Sequence, residues 1–267
     1  MKEEWSVRAH GVERRFGDLQ VLRGVDLEAR VGELVALFGP SGSGKTTLIN
    51  LIGALDRPDA GQIEALGKDI LRLSDGRRAR LRRTQIGFIF QESTLLPTYS
   101  ALENIDLALR LPGLGFFERR RRAKAALEAV GLSAWANHMP EELSGGQRQR
   151  IAIARALALQ SRLILADEPT NGIDTATTRR LLALFRGIAA AQDPTFVIVS
   201  HDPMIVEIVD TVYDLVDGKV FRRDPDRGTD TPETDSSETG ALEIETPDTN
   251  AIEIGTPDTD TGGTRHG

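Results

Sequence analysis

The sequence predicts an α/β fold built on a mostly parallel sheet, and three stretches carry that prediction. Leu34-Val35-Ala36-Leu37-Phe38 is an apolar run of buried-strand length. A glycine-rich turn follows at once, then Thr46 to Leu55, which suits a helix. Leu163–Ala166 and Phe196–Val199 are two further apolar runs, each followed by polar residues and then helical spacing. Strands that alternate with helices pair in parallel, with helices covering both faces.

The other elements fall around this core. Upstream, Val21 to Leu37 reads as strand-like material broken by Gly24 and Gly32. Between the strand candidates, Glu118 to Val130 and Gln147 to Leu159 look helical, with Gly131 as the stop of the first. A helical subdomain, about residues 92–158, is therefore expected as an insert, and residues 1–224 as one domain. From Asp226 the composition changes: ten threonines, no aromatics and a ten-residue echo around Thr246-Pro247-Asp248-Thr249 and Thr256-Pro257-Asp258-Thr259. Six apolar residues cannot offset the entropy of ordering that segment, so residues 225–267 are expected to be a disordered, acidic, threonine-rich tail.

Charge and composition exclude several function classes. The formal net charge is −7, but 11 acidic and 2 basic residues lie from Pro225 onward, so the remainder is close to neutral. A neutral body gives no electrostatic argument for nucleic acid, and Arg119–Arg122 reads as a solvated helix face. Zero cysteines exclude disulfides and thiolate metal sites. No apolar run approaches the roughly 18 residues of a membrane span, and the acidic start is not a secretory signal. A cytoplasmic location follows, with any membrane role supplied by a partner.

Gly39-Pro40-Ser41-Gly42-Ser43-Gly44-Lys45-Thr46 fits the phosphate-loop pattern G-x-x-x-x-G-K-[ST] in its required place between strand and helix. The glycines let successive backbone N–H groups turn inward, and the helix behind them, opening through Thr46 and Thr47, adds a positive dipole. Lys45 puts a full charge on the β- and γ-phosphates of ATP, and the Thr46 hydroxyl is offered to Mg²⁺. Arg162-Leu163-Ile164-Leu165-Ala166-Asp167-Glu168 is an apolar strand ending in two carboxylates. Asp167 is placed to hold the metal and Glu168 to polarise an attacking water.

Leu143-Ser144-Gly145-Gly146-Gln147 narrows the class. With it the chain resembles the ABC ATPase family over about residues 5 to 222, and the family's other marks stand in order. The resemblance implies a P-loop core with a small N-terminal antiparallel β part and an inserted α-helical subdomain. It implies that Phe16, 23 residues before Gly39, stacks on adenine. Taken alone, Phe16 would be read as a packing residue. It also implies that Gln91, after Gly87-Phe88-Ile89-Phe90, senses the γ-phosphate and its metal, that Asp174 belongs to a loop facing the partner, and that His201 is the switch histidine. That loop, Asn171-Gly172-Ile173-Asp174, departs from the commoner Ser-Ala-Leu-Asp but keeps the aspartate.

In the family Ser144, Gly145, Gly146 and Gln147 of one subunit complete the nucleotide site of another. The chain has one phosphate loop and one such pentapeptide, so a homodimer or a paired ABC ATPase is implied, sandwiching two ATP. Leu51–Pro58, Leu73–Phe88 and Ala101–Ile105 resemble the macrolide-export and lipoprotein-release branch, whose members energise a separate integral-membrane permease. Two alternatives stay open: an ATP-driven regulator of cell division or wall remodelling, and a soluble ABC ATPase without a transport role.

Overall fold

The computed structural model describes residues 4–223; the disorder expected of residues 225–267 lies outside them. Two sheets organise the described chain. A four-stranded antiparallel sheet has the order β2-β1-β4-β5, from β1 (Trp5–Phe16), β2 (Leu19–Arg30), β4 (Ala60–Ala65) and β5 (Lys68–Asp69). A six-stranded sheet has the order β10-β9-β3-β8-β7-β6. Its strands are β3 (Leu34–Phe38), β6 (Ile86–Ile89), β7 (Leu163–Asp167), β8 (Thr195–Val199), β9 (Thr211–Val216) and β10 (Lys219–Arg222). All its pairings are parallel except the terminal hairpin of β9 and β10.

The central strands read as unbroken apolar runs because both of their faces are buried. In β3, Leu34 and Ala36 join a core shared with the helical insert, while Val35 and Leu37 join a second core beneath the antiparallel sheet. The period of two in a strand splits β7 and β8 the same way: Ile164, Ala166, Phe196 and Ile198 face one core, Leu163, Leu165, Val197 and Val199 the other. Burial on two sides leaves no polar alternation to read.

The helices are α1 (Lys45–Ile52), α2 (Asp75–Gln85), α3 (Ala101–Arg110), α4 (Phe116–Ala129), α5 (Gly145–Ala158) and α6 (Thr175–Gln192). Helices α3, α4 and α5 pack together, with Leu102, Ile105, Ala123, Leu127, Ile151 and Ala154 in their shared core. Ser100 caps α3 through a box: it accepts from Glu103 N, and the Glu103 carboxylate accepts from Ser100 N at 2.9 Å.

Two expectations need correction. Gly24 does not break its strand: β2 runs through it, and the β1 register steps from Val12–Val25 to Glu13–Arg23, which leaves Gly24 as the extra residue of a bulge at φ 74°. Gly32 does end the strand, in a turn before β3. The helical spacing expected after Val199 yields only a short 3₁₀ turn, Pro203–Glu207, before the chain returns as β9.

Candidate functional site

Four parallel strands, β3, β6, β7 and β8, end at the same edge of the sheet, and each delivers functional residues just past its last pairing. Ligands of open α/β sheets bind at that edge, outside the carboxyl ends of the strands. A cleft of about 640 Å³ opens there. It is lined by Phe16, Gly39, Pro40, Ser41, Gly42, Gly44, Lys45, Thr46, Thr47, Gln91, Asp167, Glu168 and His201, all anticipated from the sequence, together with Val21.

Strand β3 feeds the loop Gly39–Gly44, and the loop's shape demands glycine at two points. At Gly39 (φ 153°) a Cβ would lie 2.3 Å from the Leu215 carbonyl oxygen. At Gly44 (φ 103°), the N-cap of α1, it would lie 2.8 Å from Val21 Cγ1. No side chain caps α1, so the helix turns uncovered amides toward the loop. Buried Lys45 folds back along the loop, its Nζ donating to Gly39 O and Pro40 O at 2.8 Å each. Ser43 is the one loop residue that does not line the cleft; its buried Oγ has no partner.

The Thr46 hydroxyl donates to Asp167 Oδ2 at 2.6 Å, joining the start of α1 to the end of β7 across 121 residues of sequence. Burial pushes the Asp167 carboxyl above its ordinary pKa; the Thr46 bond and Lys45 oppose that rise, and Glu168 adds to it. A desolvated carboxylate beside a hydroxyl at the phosphate loop is short of positive charge. Among the described residues no group of three His, Cys, Asp or Glu is arranged for a metal. An ion held by Thr46 and Asp167 must complete its shell with phosphate oxygens and water, which is how Mg²⁺ is commonly bound. The residues fit.

Glu168 follows Asp167 in a strained conformation, φ 48°. L-residues other than Asn, Asp and His rarely adopt that region, and such strain clusters at functional sites. Its amide donates to Val199 O at 2.9 Å, which pins the turn to β8. Its buried Oε2 lies 2.9 Å from Nδ1 of the exposed His201 and accepts from Ser200 Oγ and His201 N at 3.4 Å each.

Phe16 is half exposed at the cleft wall, with the Arg14 guanidinium 4.7 Å from its ring centre. Arg14 is in turn anchored by Asp56 and Asp59 at 2.8 and 3.1 Å. Phe16 is therefore not a core packing residue.

The pentapeptide and the following loop stand apart from the cleft. Ser144 is the N-cap of α5: its Oγ accepts from Gln147 N at 3.2 Å, and Ser144 N donates to Gln147 Oε1 at 2.8 Å. A Cβ on Gly146 would lie 3.1 Å from Gly172 O, so the start of α5 and the Asn171–Asp174 loop are pressed together. Asp174 caps α6 by accepting from Thr177 N at 2.9 Å, and hydrogen bonding from the Thr177 side chain first, then from its amide, draws the Asp174 pKa down. Within one chain, Ser144, Gly145, Gly146, Gln147 and Asp174 do not line the cleft.

Sequence reasoning missed Gln149. Buried in α5, it donates through Nε2 to Phe90 O and Pro169 O at 3.2 and 3.4 Å, tying the helix to the segments that carry Gln91 and Glu168. The available signal was an amide two residues before Ile151, on a face that is otherwise Ile and Ala.

A parallel sheet whose edge carries a glycine phosphate loop, a lysine, and a carboxylate strand bonded to the loop's threonine defines a phosphate-loop nucleoside-triphosphatase. Residues 22–171 match the family model described as ABC transporter. The lipoprotein-releasing system ATP-binding protein LolD of Bacteroides fragilis is 42% identical over 215 residues, 80% of this chain and 100% of that protein. The uncharacterized ABC transporter ATP-binding protein YknY of Bacillus subtilis is 44% identical over 200 residues, 75% of this chain and 86% of that one. A solved dimeric ATP-binding cassette, in a post-hydrolysis state bound to ADP and Pi, superposes with a TM-score of 0.78 at 38% identity, covering 84% of this chain and all of that one. The chain belongs to the ABC transporter family, as an ATP-binding subunit.

Proposed function

We propose that this chain hydrolyses MgATP as one half of a two-subunit sandwich and drives release or export of a substrate through a separate membrane subunit. The observation that carries the reading is the joining of Thr46, Asp167, Glu168 and His201 at the mouth of one phosphate loop.

In this reading Phe16 stacks on the adenine, and the amides of Gly39 to Thr47 receive the phosphate oxygens. Lys45 exchanges its two loop carbonyls for β- and γ-phosphate oxygens, so the loop holds its cation in place before nucleotide arrives. Thr46 and Asp167, with Gln91 nearby, would hold Mg²⁺, which neutralises charge developing on the transferring phosphoryl group. Glu168 orients and deprotonates the attacking water; the bond from His201 and the two weaker donors fix its carboxylate. Ser144, Gly145, Gly146, Gln147 and Asp174 lie outside their own chain's cleft, and they serve the cleft of a second copy or of a paired ABC ATPase. The helix N-terminus behind Ser144 then faces the γ-phosphate from the opposite side.

We further propose that residues 1–224 are the ATPase domain, with about 92–158 as its helical insert. No helix among the described residues is long and apolar enough to cross a membrane. A second, apolar groove of about 500 Å³ is lined in part by Leu55, Phe88, Phe90, Ala108, Leu111 and Arg155. It is the proposed seat for a helix of the membrane subunit, which would hold the chain at the inner face of the cell membrane. Relatives named for lipoprotein release favour that class of cargo.

Affinity isolation from solubilised membranes tests the reading, using the Glu168→Gln form held in ATP. A co-isolated integral-membrane protein with a large external domain is the expected result. A chain that turns over ATP and recovers no membrane protein would favour a soluble ABC ATPase instead.

A further inference from the structure

The nucleotide site leaves the run Arg119–Arg122 unused. It lies in α4, whose opening residues are the apolar pair Phe116 and Phe117. Phe117 is 86% exposed, Phe116 58%, and Leu111, just before the Pro112–Gly115 connection, 62%. The two rings meet edge to face, 5.5 Å between centroids. Three large apolar side chains exposed together mark a surface that something covers.

Charge identifies the covering surface. Between Arg110 and Lys124 there are six basic residues, and Glu118 is the single acid. Asp106 offers a second carboxylate, bonded by Arg110 and Arg119 at 3.1 Å each, while Glu118 holds Arg121 and Arg122. Glu103 faces Arg110 and Arg120 as well, and Glu128 is exposed one turn beyond Lys124, so four acids against six cations leave a surplus of two positive charges. Phe117, Arg121 and Lys124 are spaced i, i+4, i+7 and all exposed, so they share one face of α4. The opposite face, Ala123, Ala126 and Leu127, is buried against the insert. The arrangement is exposed aromatic rings at the tip of a helix with basic side chains behind them, at one end of the insert. Leu111 also lines the apolar groove. If that groove seats a membrane subunit, as proposed above, the patch stands beside it at the bilayer; only this placement rests on that reading.

We infer that Leu111, Phe116 and Phe117, with Arg120, Arg121 and Lys124, form a direct contact for an anionic phospholipid surface. The rings enter the boundary between headgroups and acyl chains, and the cations meet headgroup phosphates. Each part alone binds weakly, since stable peripheral attachment takes an apolar anchor together with basic charge. A helix serving only as a solvated basic face gains nothing from Phe at its two exposed opening positions.

The test is co-sedimentation of the full chain with protein-free vesicles, of phosphatidylcholine alone or mixed with phosphatidylglycerol. The chain carries a net charge of −7 overall, so attraction to an anionic vesicle must come from a local patch. Partition onto the anionic vesicles is expected to exceed that onto neutral ones by roughly tenfold or more, and to fall as salt is raised. The double change Phe116→Ser, Phe117→Ser should lower it about tenfold. Arg121→Glu with Lys124→Glu should abolish the preference for phosphatidylglycerol. All variants should keep the wild-type melting temperature and rate of phosphate release. Absence of vesicle binding by the wild type would overturn the inference, as would equal binding by the Phe variant. So would a Phe variant that still binds vesicles but no longer co-isolates with a membrane protein, because the patch would then belong to a protein partner. The vesicles contain no membrane subunit, so the binding outcomes do not depend on whether the groove seats one, and only the co-isolation arm does.

Discussion

Replacing Glu168 with Gln separates chemistry from structure at the cleft. The carboxylate is buried, and its Oε2 accepts from His201 N and Ser200 Oγ at 3.4 Å beside the 2.9 Å contact with His201 Nδ1. Glutamine keeps the volume, the backbone at φ 48° and an acceptor oxygen for those donors. What it loses is basicity and one negative charge. General-base assistance is worth typically 10²- to 10⁴-fold, which is about 3–5 kcal/mol of barrier. Phosphate release at saturating ATP should therefore fall at least about a hundredfold, while nucleotide binding and ATP-dependent dimerisation in light scattering persist. Stability should not fall, because Glu168 is one of the groups that raise the Asp167 pKa and its removal relieves a buried carboxylate pair. Turnover within threefold of wild type, in a variant that melts like wild type, would remove Glu168 from the role of base.

Two further outcomes follow from particular contacts. Asp167→Asn should raise the melting temperature of nucleotide-free protein at neutral pH and abolish the stabilisation that Mg²⁺ and ATP give together. The folded Asp167 pKa is raised, so its charged form opposes folding above that pKa. The opposition fades as pH falls through the folded pKa and is gone below the unfolded value, so the variant's advantage should shrink on acidification. Arg78→Ala should destabilise by about 2–4 kcal/mol, because the buried guanidinium donates to Ala54 O and Asp56 O at 3.0 and 2.8 Å where α1 ends. The melting temperature should drop by roughly 5–15 °C in a domain of this size, and a drop of under two degrees would show that Arg82, which also bonds Ala54 O, suffices alone.

The parts of the fold that could be read in advance are those where one physical constraint dominates a short stretch. Leu34–Phe38 was legible because burial on both faces permits little but aliphatic residues, and Gly39–Thr46 because a backbone curled around phosphate needs glycine at fixed positions. The long strand β1 was illegible: its sequence, Val7-Arg8-Ala9-His10-Gly11-Val12-Glu13-Arg14-Arg15, mixes a bulge and two charged edges into the alternation. Helix α2 carries five arginines and only one buried apolar residue, Leu81, so no apolar stripe announces it. At the site, the residues themselves were legible but their mutual roles were not. Gln149 and Arg14 act on loops that come close only after folding. That Ser144 and Asp174 stand outside their own cleft was implied by the family resemblance alone, and their service as helix caps is plain only in the fold.

The central claim is that each nucleotide site is shared between two chains, and mixing two single variants tests it most directly. Lys45→Ala disables a chain's own phosphate loop; Ser144→Arg spoils the face offered to a partner, and its melting curve must first show that loss of the α5 cap leaves the fold intact. Each should be nearly inactive alone. Random pairing of the two gives one intact site in half of the dimers, so a two-fold symmetric pair with independent sites should recover about a quarter of wild-type phosphate release. Full turnover by the Ser144→Arg chain on its own would mean that the cleft is complete in a single copy, and the account would be wrong.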